Sequence, residues 1–182
     1  MALSGGTVTG ITTFSNTTDA SSCTTGSVII SGGLGVSKNI YGDKVYGSVW
    51  NDYAEYRVPG EENIEPGRVV YSGDDGKLHL TTGKLQFFEG VVSDTFGFAI
   101  GETSEATIPL AVAGRVLVYT DEELHAGNVV CAGPNGKVCK MTREEIAKYP
   151  DRIVGIVSEI PTYDTWGEKN IAVNNRIWIR IR

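Results

Sequence analysis

The second two thirds of the chain alternate between apolar and polar positions in short runs punctuated by turn dipeptides. Val112 to Tyr119 and Ile171 to Ile181 read as alternating strands. In the last, Ile177, Ile179 and Ile181 point to one side while Trp178 and Arg180 point to the other. Asp75-Gly76 and Asn135-Gly136 are hairpin turn dipeptides. One helix is expected. Thr142-Arg143-Glu144-Glu145 forms a capping box, Ile146 and Ala147 follow, and Pro150 stops the run.

The pattern repeats. The run 66–77 (PGRVVYSGDDGK) matches 126–137 (AGNVVCAGPNGK), 90–94 (GVVSD) matches 155–159 (GIVSE), and 111–116 (AVAGRV) matches 172–177 (AVNNRI). The three blocks fall in the same order at offsets of 60, 65 and 61 residues, so insertions sit in the loops. The helix fills extra residues of the second copy. The expected fold is mainly β: a domain over 51–182 built as a barrel or sandwich from two related halves, about 65–120 and 126–182, with one short helix.

Residues 1–50 follow another pattern. They carry four charges (Asp19, Lys38, Asp43, Lys44), and Ser and Thr occupy thirteen positions between Ser4 and Ser27. Apolar residues are sparse and mostly β-branched. Such a segment cannot bury enough apolar area alone to offset chain entropy. Val28, Ile30, Leu34 and Val36 keep an alternation around Gly32-Gly33, which favours an intertwined β fibre element over a disordered arm. It is expected to fold when several copies wrap together, each supplying an edge.

Composition narrows the function. The chain has 182 residues, a net charge of −6 and 23 glycines. Acidic balance argues against a nonspecific nucleic-acid or anionic-membrane surface. No apolar run approaches the roughly 20 residues of a membrane span, and the start, MALSGGTVTG, lacks the pattern of a signal peptide. Cys23, Cys131 and Cys139 make neither a disulfide framework nor a C-x-x-C, and with His79 and His125 the only histidines no zinc site is expected. Neither a nucleotide fingerprint nor a nucleophile elbow is present, so no cofactor is expected. Cys131 and Cys139 have Tyr71 and His79 as repeat counterparts, which marks all four as ordinary cross-strand residues.

The junction between the two regions reads Trp50-Asn51-Asp52-Tyr53-Ala54-Glu55-Tyr56. Two carboxylates set among aromatics are a place where pKa values can be pushed apart, although a solvated interface strand would carry the same residues. The run Asp52-Tyr53-Ala54-Glu55-Tyr56 resembles the D-Y-A-E-Y signature of phage neck-appendage and tail-spike C-terminal autoproteolytic domains, the peptidase G2 family. The resemblance continues through 65–70, 93–102, 130–136, 140–145, 149–155 and 176–179 and so spans nearly all of 51–182. Separately, 25–41 (TGSVIISGGLGVSKNIY) is similar to Gly-rich repeats of phage fibre and virion structural proteins.

The resemblance implies trimerisation, an intramolecular chaperone role and a cut at the Asn51–Asp52 bond, with Glu55 as general acid/base and Asp52 as the neighbouring carboxylate. If the chain is an enzyme, it performs single-turnover autoproteolysis by these carboxylates. Family members often have a small hydroxyl residue before the Asp; Asn51 stands there in this chain and removes a nucleophile. Little chain precedes the bond, so an uncut protein is expected. The leading expectation is a virion structural protein, made in the host cytoplasm: a spike, head fibre, tail fibre or decoration component. It would form a homotrimer held chiefly by residues 1–50, which also meet other virion proteins, with no nucleic-acid or membrane partner. The alternatives are the self-cleaving chaperone and a head that binds the host cell surface through Tyr163 and Trp166.

Overall fold

The computed structural model describes residues 5–40, 42, 51–101, 103–167 and 169–181. The chain divides into two compact units, Met1–Ser48 and Val49–Arg182.

The first unit carries no strand or helix among its described residues. Val8, Ile11, Phe14, Ile30, Leu34 and Ile40 all face solvent. What order it has comes from short Ser/Thr turns; the Thr25 hydroxyl, for example, accepts the Ser21 and Ser22 amides at 2.8 and 2.9 Å. Polar side chains of this kind close local loops without building an interior. Among the described residues the alternation around Gly32-Gly33 therefore has no ladder partner.

The second unit is a curled antiparallel half-barrel. Its strands are β1 (Asp52–Arg57), β2 (Val69–Ser72), β3 (Leu78–Leu80), β4 (Gly90–Val92), β5 (Phe98–Ile100), β6 (Ile108–Val118), β7 (Val129–Ala132), β8 (Val138–Lys140), β9 (Ile153–Glu159), β10 (Thr165–Trp166), β11 (Ile171–Ala172) and β12 (Ile177–Ile181). Among the described residues the one α-helix is α1 (Arg143–Lys148), and it has the expected cap: the Thr142 hydroxyl accepts the Glu145 amide and the Glu145 carboxylate accepts the Thr142 amide. No helix among the described residues is long and apolar enough to cross a membrane.

The main sheet runs β3-β2-β4-β6-β12-β9-β7-β8. Its order is a palindrome: β3, β2, β4 and β6 of the first half are mirrored by β8, β7, β9 and β12 of the second. Details repeat with it. Gly67 N–H donates to Val92 O at 2.7 Å, and Gly127 N–H to Val157 O at 2.8 Å. Leu80 N–H donates to Glu61, and Lys140 N–H to Glu122. The hairpin glycines Gly76 and Gly136 both have positive φ, as does Asn135. The halves meet where β6 pairs with β12, and the Leu117–Trp178 pair sits at the centre, flanked by Val116–Ile179 and Val118–Ile177.

Alternation makes this seam a core. Val116, Val118, Ile177 and Ile179 join one apolar cluster that also takes Val69 and Val130 from the two halves. Trp178 and Leu117 face the other way into a second cluster and are equally buried. One expectation needs correction. Residues 171–181 are not one strand: Asn174 and Asn175 take left-handed backbone (φ 52° and 60°), and the chain turns between β11 and β12 with Arg176 N–H bonding Val173 O. Asn tolerates that conformation far better than most residues, and two in succession make a turn.

Candidate functional site

β1 lies against the first half, pairing antiparallel with β6 and parallel with β5. Its entry is held tightly. The Asn51 carbonyl accepts the Arg115 amide at 2.7 Å, and the Asp52 carbonyl accepts the Gly97 amide at 3.1 Å. Gly114, at φ 109°, faces this point: a Cβ there would collide with the Asn51 carbonyl and the Asp52 backbone. Glycine is required both for the conformation and for the close approach.

Asp52 is buried, and so are the two hydroxyl residues around it, Ser93 and Thr95. These come from the connection between β4 and β5. Thr95 Oγ1 donates to Asp52 Oδ1 at 2.9 Å, and the Thr95 amide donates to Ser93 Oγ at 3.0 Å. Asp52 Oδ2 has no well-aligned partner, and the Asn51 side-chain amide nitrogen is likewise buried and unpartnered. Burial drives the Asp52 carboxyl from its ordinary 3.8 up to about 6. The Ser93 and Thr95 hydroxyls pull it down, and the charge of Asp94 adds to the rise. The arrangement is a carboxyl able to hold a proton near neutral pH, on the residue that follows the Asn51 carbonyl, which the Arg115 amide already polarises.

Glu55 stands elsewhere. Side chains alternate along a strand, so residues three apart face opposite sides. Asp52 and Ala54 are buried on the inner face, whereas Tyr53 and Glu55 lie on the outer one, in register with Phe98 and Ile100 of β5. Within one chain the fold brings Asp52 to Asn51, Ser93 and Thr95, and does not bring it to Glu55. Ser93, Thr95 and Gly114 meet Asp52 only through the sheet, so nothing local in the sequence marks them as site residues; the one signal is that 93–102 shares the family resemblance.

The other candidates have structural surroundings. His79, on β3, lies between Asp75 (Nε2 to Oδ1, 3.1 Å) and Glu61 (Nδ1 to Oε1, 3.3 Å). Cys131 and Cys139 are free thiols directly opposite one another on β7 and β8. No cluster of metal-ligating residues occurs among the described residues. Tyr163 and Trp166 pack on Trp178: Trp178 Nε1 donates to the Tyr163 hydroxyl at 2.8 Å, and the two indoles meet edge-on at 5.1 Å.

The architecture is shared with a bacteriophage protein. The structure of the pre-mature bacteriophage phi29 gene product 12 is similar to 81% of this chain, with TM-score 0.58 and 19% identity, and the chain spans 24% of that protein. The C-terminal fragment of the same phi29 protein is similar over 72% of this chain and all of the fragment, with TM-score 0.52 and 20% identity. No family model matches the sequence, and no curated protein matches it.

Proposed function

We propose that this chain is a structural component of a bacteriophage particle, of the appendage, spike, fibre or decoration kind, assembled as a homotrimer and left uncut. Supporting this reading is a single conjunction: a domain with the fold of phi29 gene product 12, joined to a segment with no interior of its own. The exposed Val28, Ile30, Leu34 and Val36 are the side chains that sister copies would cover. The same segment would anchor the trimer to other virion proteins.

Self-cleavage at Asn51–Asp52 is the second reading, favoured by the buried Asp52 carboxyl beside an unpartnered Asn51 amide. Against it stand the separation of Glu55 from Asp52 across β1 and the absence of a hydroxyl nucleophile at position 51. Denaturing electrophoresis of fresh protein together with light scattering distinguishes the two. The structural reading expects one band at 19.5 kDa and a trimeric mass in solution. Bands at about 5 and 14 kDa, scaled by residue count, would establish cutting, and Glu55→Ala would then keep the chain whole. A monomer at micromolar concentration would sink the structural reading.

A further inference from the structure

The β7–β8 hairpin forms one end of the main sheet, and it also bonds to the other end. Thr81, which follows β3, donates its hydroxyl to Gly133 O at 2.8 Å, and its carbonyl accepts the Gly136 amide at 2.9 Å. The Leu85 amide adds a bond to Ala132 O at 3.0 Å. The second half thus grips the first at a place separate from the β6–β12 ladder. Within this hairpin Cys131 and Cys139 stand directly opposite one another. Residues so placed have Cα atoms about 4.5–5.5 Å apart, inside the about 4.4–6.8 Å that a disulfide spans. Both side chains lean across the ladder: Cys131 Sγ donates to the Cys139 carbonyl at 3.5 Å, and the Cys139 sulfur lies over Gly133, where a Cβ would collide with it. In the first half the same register sets Tyr71 opposite His79, with ring centroids 5.8 Å apart and His79 bonded to Asp75. That pair ties the first hairpin across; the second has only a weak S–H···O contact in its place.

We propose that Cys131 and Cys139 are an oxidisable pair that closes as a cross-strand disulfide on exposure to a peroxide, locking the hairpin that joins the two ends of the sheet. Exposure orders the chemistry. Cys139 is partly exposed and meets the oxidant, whereas Cys131 is fully buried beside Met141 and Ile153. The Cys139 sulfur takes one peroxide oxygen to become a sulfenic acid, and the other oxygen leaves as water. The Cys131 sulfur then displaces the sulfenic hydroxyl, the S–S bond forms, and the Cys131 proton departs with that hydroxyl as a second water. Two thiols are oxidised and one peroxide is reduced. Burial pushes both thiols up, so little thiolate is present at neutral pH and the pair stays reduced until an oxidant is supplied. The link encloses Gly133 and Gly136, the two residues that bond Thr81. The bond itself does not depend on the virion reading. Its timing does: a particle component would close it after leaving the reducing host cytoplasm.

The test is hydrogen peroxide treatment of the reduced full chain, followed by alkylation in denaturant and peptide mapping by mass spectrometry. The expected product joins Cys131 to Cys139 and is lighter than the reduced pair by about 2 Da, the two thiol hydrogens. Amide exchange at Gly133 and Gly136 in the same sample should slow by at least about tenfold and recover on reduction. Cys23→Ser removes the exposed thiol of the first unit and should leave both results unchanged. Cys139→Ser should abolish both. The proposal is overturned if Cys131 and Cys139 both still alkylate after peroxide, if Cys139 stops at the sulfinic acid, or if either is joined to Cys23 instead. A link that forms without slowing exchange overturns the locking role.

Discussion

Arg176 of the second half reaches across the seam and clasps Asp94 of the first with two parallel hydrogen bonds, at 2.9 and 2.8 Å. Its repeat counterpart, Arg115, makes the reverse journey to Glu159 and stacks over Trp178. The two halves thus exchange arginines. The exchange is unequal, because the Arg176 side chain is 2% exposed and the Arg115 side chain 29%.

That inequality sets the cost of breaking each pair. Asp94→Ala strands a buried guanidinium that keeps only the Val173 and Ala172 carbonyls, and should cost about 3 kcal/mol. Glu159→Ala frees a half-exposed Arg115 and should cost about 1 kcal/mol or less. Urea unfolding of the two variants measures the difference; equal losses would refute the account.

Asp52 makes stability depend on pH. Its folded pKa of about 6 exceeds the ordinary 3.8, so the folded state holds the proton more firmly. The resulting stabilisation is complete below pH ~4 and is lost as pH rises through ~6, by about 3 kcal/mol. Asp52→Asn should flatten this part of the profile and raise stability at pH 7.5. A variant whose unfolding free energy still falls equally between pH 4 and 7.5 would show that Asp52 is not the group responsible.

Gly114→Ala tests the docking of β1. The new methyl meets the Asn51 carbonyl, and the backbone is held in a conformation that Ala resists. A loss of at least about 2 kcal/mol is expected, with faster proteolysis near residue 51. Unchanged melting and unchanged cleavage would mean that β1 is not held there.

Thr142→Ala removes one half of the capping box on α1 and should cost about 1 kcal/mol. Thr142→Ser, which restores the acceptor, should recover most of it in the same thermal melts.

Much of the fold was legible because it is written twice. Matching blocks, two turn dipeptides and a capping box each have a local physical cause, and each was found in place. The break at Asn174-Asn175 was readable too, since two residues tolerant of left-handed backbone stand together inside an apparent strand. The surroundings of Asp52 were not: Thr95 lies 43 positions away in sequence, and only the pairing of β1 with β6 and β5 brings it near. The opposition of Asp52 and Glu55 follows from a period of two once 52–57 is known to be a strand, whereas the motif alone suggests a pair.

The Leu117–Trp178 pair has a consequence for the joint between the halves. It is the place in the β6–β12 ladder where a residue stands opposite its own repeat counterpart, so the sheet carries a local two-fold axis through this pair. Leucine and tryptophan differ in size and shape, so the side chains on the axis break the symmetry that the backbone keeps.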